Sequence, residues 1–228
     1  MRTALVQAIA LMFSGSEALR DIIKVTLQMS ISSSLVALLL GVPLGVLLAM
    51  TSFHGKRAWI VINRTLMGLP PVVAGLICYI LFSGVGPLRH LSLLYTVRGM
   101  VIAQVILITP IIIGNIETFL TGPAKEIRET ARGLRLGPWK TFLLTMNETK
   151  YEIISTYLLG FSRAIAEVGA ISMVGGAIAW KTNVMTTAIM NAANRGEFSL
   201  GIALGIILLL MSFALNLIIY IIQTRLSQ

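Results

Sequence analysis

Five apolar runs, each long enough to cross a bilayer as a helix, constrain this chain more than any other feature. They lie at about Val25 to Met50, Trp59 to Phe82, Met100 to Phe119, Ile153 to Ile178 and Leu200 to Ile222. A hydrocarbon core needs about 20 predominantly apolar helical residues, and every backbone polar group inside it must be satisfied within the fold. Composition agrees: 56% of the 228 residues are hydrophobic and 12% are charged, with a mean hydropathy of +0.88. A soluble globular domain has about twice that share of charge. The expected fold is therefore an all-α integral membrane protein with five transmembrane helices. After these helices too few residues remain for a soluble domain of ordinary size.

Residues 1–24 stand apart from the runs. Ala4 to Phe13 is apolar but too short to span, and it ends at Ser14, Gly15 and Ser16. The region after it, Ser-Gly-Ser-Glu-Ala-Leu-Arg, makes a poor signal-peptide cleavage site. An uncleaved interfacial helix on the membrane surface is expected here. Residues 25–228 then form one transmembrane domain.

The net charge of +9 does not call for nucleic acid in a membrane protein, where cationic loops collect on the cytoplasmic face. With the loop at 122–150 inside, that side carries ten cations: Lys56, Arg57, Arg64, Lys125, Arg128, Arg132, Arg135, Lys140, Lys150 and Arg225. The other side carries seven: Arg2, Arg20, Lys24, Arg89, Arg98, Lys181 and Arg195. The bias predicts an external N-terminus and a cytoplasmic C-terminus. The one cysteine, Cys78, lies in an apolar run, and the two histidines, His54 and His90, lie far apart. These provide neither a disulfide framework nor a metal cluster. No phosphate-cradling Gly-x-x-x-x-Gly-Lys loop and no spaced Ser/His/Asp set is present, so no catalytic, metal or cofactor site is expected.

The loop at 122–150 is longer than a turn between two helices requires. Pro123 suits a first helical position and Glu126 a first turn. Ile127, Ala131 and Leu134 follow at helical spacing, with Arg128, Glu129, Arg132 and Arg135 around them. Gly137 and Pro138 stop that helix, and Trp139, Phe142 and Leu143 open a second apolar stripe. Pattern alone allows either a helix resting on lipid phosphates or a docking element for a partner.

Two other features fall inside the apolar runs. Pro70 and Pro71 interrupt the second run and Pro110 the third. Each removes a backbone donor, giving either a tolerated kink or a flexible segment near a gate. Arg163 and Glu167 lie four residues apart on one helical face. A lone charge at mid-membrane costs about 2.5–3.5 kcal/mol on insertion scales. The pair reads either as a structural ion pair locking helices together, or as Arg163 offering positive potential to an anion. Gly169, Gly175 and Gly176 follow and permit close helix approach.

Several of these segments carry a resemblance to a known family. Glu129-Thr130-Ala131-Arg132-Gly133-Leu134, with Gly137 and Trp139, resembles the cytoplasmic Glu-Ala-Ala loop of ABC importer permeases, which forms the coupling helix. Leu69-Pro70-Pro71-Val72-Val73-Ala74-Gly75 is similar to the Pro-Pro segment of molybdate, tungstate and sulfate permeases. Phe161-Ser162-Arg163-Ala164-Ile165-Ala166-Glu167-Val168-Gly169-Ala170 resembles the Arg-Ala-x-x-Glu-x-Gly-Ala segment of the same group. The five-run length and the Thr182 to Ile189 stretch are most like tungstate permeases. Two positions depart from the family pattern: Arg135 stands where a glycine is usual, and Glu148 lies near where a closing proline is common.

The resemblance implies the permease subunit of an importer for a small oxyanion, tungstate or molybdate before sulfate, in a prokaryotic inner membrane. It implies a homodimer, two copies of a separate ATP-hydrolysing subunit and an external binding protein. Glu129, Ala131, Arg132, Gly133 and Gly137 are the coupling residues it points to; Pro70, Pro71, Arg163, Glu167 and Gly169 are candidates for the pathway or an interface. An amino-acid importer is the alternative within the class. An ATPase-independent secondary transporter or channel, and a membrane anchor for a soluble complex, are the alternatives outside it.

Overall fold

The computed structural model describes residues 16–226, with Val6, Ile9 and Ala10 before them. Its elements are all helical: α1 (Glu17–Met50), α2 (Lys56–Met67), α3 (Pro71–Phe82), a 3-10 turn (Arg89–Leu91), α4 (Val97–Leu120), α5 (Ala124–Gly133), α6 (Pro138–Glu148), α7 (Lys150–Ala166), α8 (Gly169–Gly175), α9 (Met185–Asn194) and α10 (Phe198–Leu226). Among the described residues three helices, α1, α4 and the stretch Phe198–Ile218 of α10, are long and apolar enough to cross a membrane. The number becomes five if α2 with α3, and α7 with α8, each count as one bent span.

α1 begins earlier than hydropathy places it. The Ser16 hydroxyl accepts from the Leu19 amide at 3.4 Å, capping the helix, so Glu17 to Lys24 form the first turns of α1 rather than part of a surface segment. The rest of the expected interfacial helix falls mostly outside the described residues. Polar Glu17, Arg20, Asp21 and Lys24 lower the hydropathy of these turns, while Glu, Arg and Lys are good helix formers. At about 1.5 Å per residue the 34-residue helix is longer than a 30 Å core.

α1 packs along α4, and small residues set their approach. A Cβ on Gly41 would sit 2.7 Å from Ile112 Cγ2, and one on Gly45 2.8 Å from Ile116 Cβ. The core between these helices gathers Ala37, Val42, Val46, Ile108, Ile112 and Ile116, with Ala164 of α7 packed into it. A polar relay crosses it: Ser33 Oγ donates to Gln104 Oε1 (2.5 Å), and Gln104 Nε2 donates to the Ala164 carbonyl (2.7 Å). It ties α1, α4 and α7 together where bare polar groups would be expensive.

Two of the five runs are not straight spans. α2 and α3 meet at 96°, and α7 and α8 at 57°. Gly68 closes α2, Pro70 caps α3 and Pro71 takes its first position, which needs no amide donor. The prolines therefore begin a helix rather than kink one. The second break, at Glu167 and Val168, has no proline. Pro110 stays inside α4, where its carbonyl also accepts from Asn63 Nδ2 at 3.0 Å. α9, not foreseen from hydropathy, docks on α1 through the Met185 amide, which donates to Thr26 Oγ1 at 2.9 Å.

Candidate functional site

Two regions hold the residues singled out in the sequence. The first is the charged loop. α5 and α6 form the expected helix, sharp turn and helix, at the same end of the molecule as the C-terminus of α1. Arg128 holds them there: Nε donates to the Ala124 carbonyl at 3.1 Å and Nη1 to the Met50 carbonyl at 3.4 Å. Lys56 Nζ donates to the Ala49 and Thr51 carbonyls at 3.2 and 3.0 Å. Two cations thus cap the negative end of α1. Between them opens a cavity of about 620 Å³, lined in part by Lys56, Arg57, Glu117 and Arg128. Arg64 reaches Glu117 at 3.8 Å.

The loop has an inner and an outer face. Ile127 packs into the α1–α4 core beside Ala49 and Leu120, and Ala131 is 3% exposed. Ala131 therefore belongs to the seat of α5 on its own chain, not to its outer surface. Glu129, Arg132, Gly133 and Gly137 are exposed. Leu134, expected on the same apolar stripe as Ala131, is 63% exposed, and Trp139 is 69% exposed. Trp139 stacks on Phe142, with ring centroids 5.6 Å apart. The loop therefore offers a mixed apolar and charged outer face on a firmly held base.

α5 ends in a Schellman motif. The Leu136 amide donates to the Ala131 carbonyl (2.9 Å) and the Arg135 amide to the Arg132 carbonyl (3.0 Å), with Arg135 left-handed at φ 53°. This is the position where glycine is usual, for a physical reason: its missing Cβ makes that conformation cheap. Arg135 keeps the turn and bears the strain.

The second region is formed where the two helix breaks meet. α3 packs against α8 so closely that a Cβ on Gly75 would lie 2.7 Å from Ala170 Cα, and one on Gly169 2.9 Å from Val72 Cγ2 and 3.4 Å from Pro71 Cβ. The Pro-Pro segment and the Arg163–Gly169 segment, about ninety residues apart, are one structural site. At its centre Glu167, 5% exposed, does two jobs. Oε1 accepts from the amides of Val168 (3.1 Å), Gly169 (2.9 Å) and Ala170 (3.4 Å), capping α8. Oε2 faces Arg163 Nη2 at 3.5 Å. The Glu167 carbonyl, left over at the end of α7, accepts from Thr186 Oγ1 at 2.9 Å.

The capping role of Glu167 was missed in the sequence, as was Thr186. The available signal was a weak one: an acidic residue just ahead of Gly169 in an apolar run can accept from local amides, but helical spacing offers it Arg163 as well. Gly175 approaches α4, where a Cβ would lie 2.7 Å from Met100 Sδ, whereas Gly176 turns the chain at φ +69°. Among the described residues, no group of three or more His, Cys, Asp or Glu is placed to hold a metal ion.

Comparison with known proteins gives these two regions a context. Residues 41–228 match the family model described as "Binding-protein-dependent transport system inner membrane component". The chain is 35% identical over 216 residues to the tungstate uptake system permease protein TupB of Peptoclostridium acidaminophilum, covering 95% of each chain. It is 38% identical over 212 residues to the protein of the same name from Campylobacter jejuni, covering 93% of this chain and 89% of that one. A probable anion ABC transporter permease protein of Haloferax volcanii is 32% identical, covering 86% and 87%. The match spans both the charged loop and the paired breaks, and the chain belongs to the family of binding-protein-dependent transport system inner membrane components.

Proposed function

We propose that this chain is the membrane-spanning permease of an ATP-driven oxyanion importer, carrying tungstate or molybdate. The observation that carries the reading is the likeness, over nearly the whole chain, to two tungstate uptake permeases. A molybdenum transport permease of Azotobacter vinelandii at 26% identity points to the same group of anions. The chain works as a homodimer with the pathway between its copies. Two copies of a separate ATPase bind below, and a binding protein delivers the anion from outside. The N-terminus is external and the C-terminus cytoplasmic, as the ten-to-seven cation bias supports.

The firm seat of α5 and its exposed outer face support a coupling role for the loop. ATP-driven closure of the ATPase pair moves α5, through Glu129, Arg132, Gly133 and Gly137, and the permease switches between its two states. Arg128 and Ile127 pass that motion to the end of α1 and to the α1–α4 core. The permease itself hydrolyses nothing.

Affinity purification from native membranes tests this reading. An ATPase carrying a P-loop is expected to co-purify, and liposomes holding the complex are expected to take up tungstate or molybdate when ATP and the binding protein are supplied. Uptake without any ATPase would make the chain a secondary transporter or channel instead. Single cysteines at Ser16 and Ser227, in a Cys78→Ala background, test the topology: an impermeant thiol reagent is expected to label only the first in intact cells.

A further inference from the structure

Arg163 presents an unusual combination of position and partners. It lies 13 residues beyond Lys150 in α7, about 20 Å along the helix at 1.5 Å per residue. Its side chain is 43% exposed while that of its partner Glu167 is 5% exposed. The exposed side of α7 here also carries Leu159 and Ala166, and α10 covers a different side through Ser162, whose hydroxyl donates to Asn216 Oδ1 at 3.2 Å. Among the described residues, Arg163 has the ion pair and no hydrogen bond. That contact, at 3.5 Å, is longer than the 2.7–2.9 Å of a charge-assisted hydrogen bond.

A guanidinium carries five N–H donors, and lipid tails offer no acceptor for any of them. A charged side chain at this depth therefore faces water or a partner group. Glu167 cannot neutralise it fully, because its other oxygen is shared among three amides of α8. Glu167 also lies inward of Arg163, so an anion arriving at the open side of α7 meets the guanidinium first.

We propose, resting on the oxyanion-importer reading above, that Arg163 is the charged contact for the anion where the two helix breaks meet. The open side of α7 then lines the aqueous pathway, and the guanidinium donates to oxygens of a tetrahedral dianion as it passes. Glu167 positions Arg163 and takes it back when the anion leaves. A long ion pair suits that exchange, because a transport site must bind strongly enough to admit the anion and weakly enough to release it.

The test is uptake of tungstate and of molybdate by liposomes holding the permease with its ATPase, comparing wild type, Arg163→Gln and Arg163→Lys. Arg163→Gln is expected to lower saturated uptake by about tenfold, the size of one lost charge-assisted hydrogen bond. Arg163→Lys keeps the charge and is expected to stay within about threefold of wild type, since a point charge still attracts the anion. Uptake by a folded Arg163→Gln complex at the wild-type rate overturns the proposal while leaving the importer reading intact. Absence of oxyanion uptake by wild type sinks the importer reading, and this one with it. If Arg163→Gln alone does not fold, Arg163→Gln with Glu167→Gln replaces it and is read the same way.

A direct probe runs beside it. Arg163→Cys, in a Cys78→Ala background, is expected to react with a charged methanethiosulfonate added from water, because the open side of α7 lines an aqueous path. A cysteine that the reagent does not reach would overturn the assignment.

Discussion

The charged loop and the paired helix breaks are built in opposite ways. The loop takes its shape from signals within some 25 residues: Pro123 at its start, Gly137 and Pro138 between its helices, and a helical stripe of Ile127 and Ala131. Apart from Arg128 its charges are exposed, and its ion pair, Lys125 with Glu129 at 3.9 Å, is a surface one of small energetic weight. The breaks take theirs from contacts between residues about ninety positions apart, and their central carboxylate is buried. A region proposed to meet a partner can be local and solvated. A region that bends two helices inside a membrane has to satisfy each freed backbone group from elsewhere in the fold.

That contrast orders the expected effects of mutation, and the largest falls on Glu167. Replacing it by leucine removes the acceptor of three amides and leaves Arg163 unpaired. Each buried donor left without an acceptor costs about 1–3 kcal/mol, and three amides share this one; Arg163, at 43% exposed, adds less than a buried charge would. Glu167→Gln keeps a carbonyl oxygen for the α8 amides and is expected to lose clearly less in detergent unfolding. The cap also sets which double variant recovers stability. Arg163→Met with Glu167→Leu should stay unstable, because the amides remain bare, whereas Arg163→Gln with Glu167→Gln should recover most of it. If the first double variant proves as stable as wild type, Glu167 is only half of an ion pair and the capping role falls.

Next come the glycines of the α3–α8 contact. Gly75→Ala would set a methyl 2.7 Å from Ala170 Cα, against backbone that cannot rotate away. Overpacking of this kind costs about 1–3 kcal/mol. The same change at Gly122 in the loop, where a Cβ meets nothing within 4 Å, is expected to be nearly silent. Melting temperatures of the two variants measure the comparison directly, and equal shifts would remove it.

These two regions were legible to different degrees. Five apolar runs and the two loop helices follow from length, hydropathy and stop residues. The outer face of the loop did not follow, because Ala131 and Leu134 share one helical stripe and only the packing of Ile127 against α1 shows that Ala131 points inward. The 96° break was half legible: Gly68 followed by Leu69, Pro70 and Pro71 is an end signal followed by a start signal, but continuous hydropathy masked it. The 57° break was not legible, since no proline or polar turn marks it and its cap is a side chain that helical spacing pairs equally well with Arg163.

Inside the loop, the two faces predict different failures. Ala131→Glu pushes a longer, charged side chain into the seat of α5, with an overpacking loss of about 1–3 kcal/mol, so lost transport in this variant would not by itself identify a docking contact. Glu129→Lys is the cleaner test. Its carboxylate is exposed, so stability should move by less than about 0.5 kcal/mol, while retention of the ATPase on an affinity column and ATP-driven uptake should both fall. Normal uptake with Glu129→Lys would remove this face of α5 from coupling.

The smallest expected effect is a gain. Arg135 holds φ 53° to complete the Schellman turn, and a left-handed residue with a Cβ carries a penalty of about 1–2 kcal/mol. Arg135→Gly relieves that penalty but adds freedom to the unfolded chain worth about 0.5–1 kcal/mol. The net is a stabilisation of about 0–1.5 kcal/mol, visible as a small rise in melting temperature. The arginine also sits on the exposed side of the loop, so the same variant removes a cation from the face proposed to meet the ATPase. A protein that becomes slightly more stable while holding its ATPase less tightly would show that Arg135 is kept for its charge in spite of its backbone. A loss of stability would instead mean that the side chain anchors the turn, and the strain argument would fail.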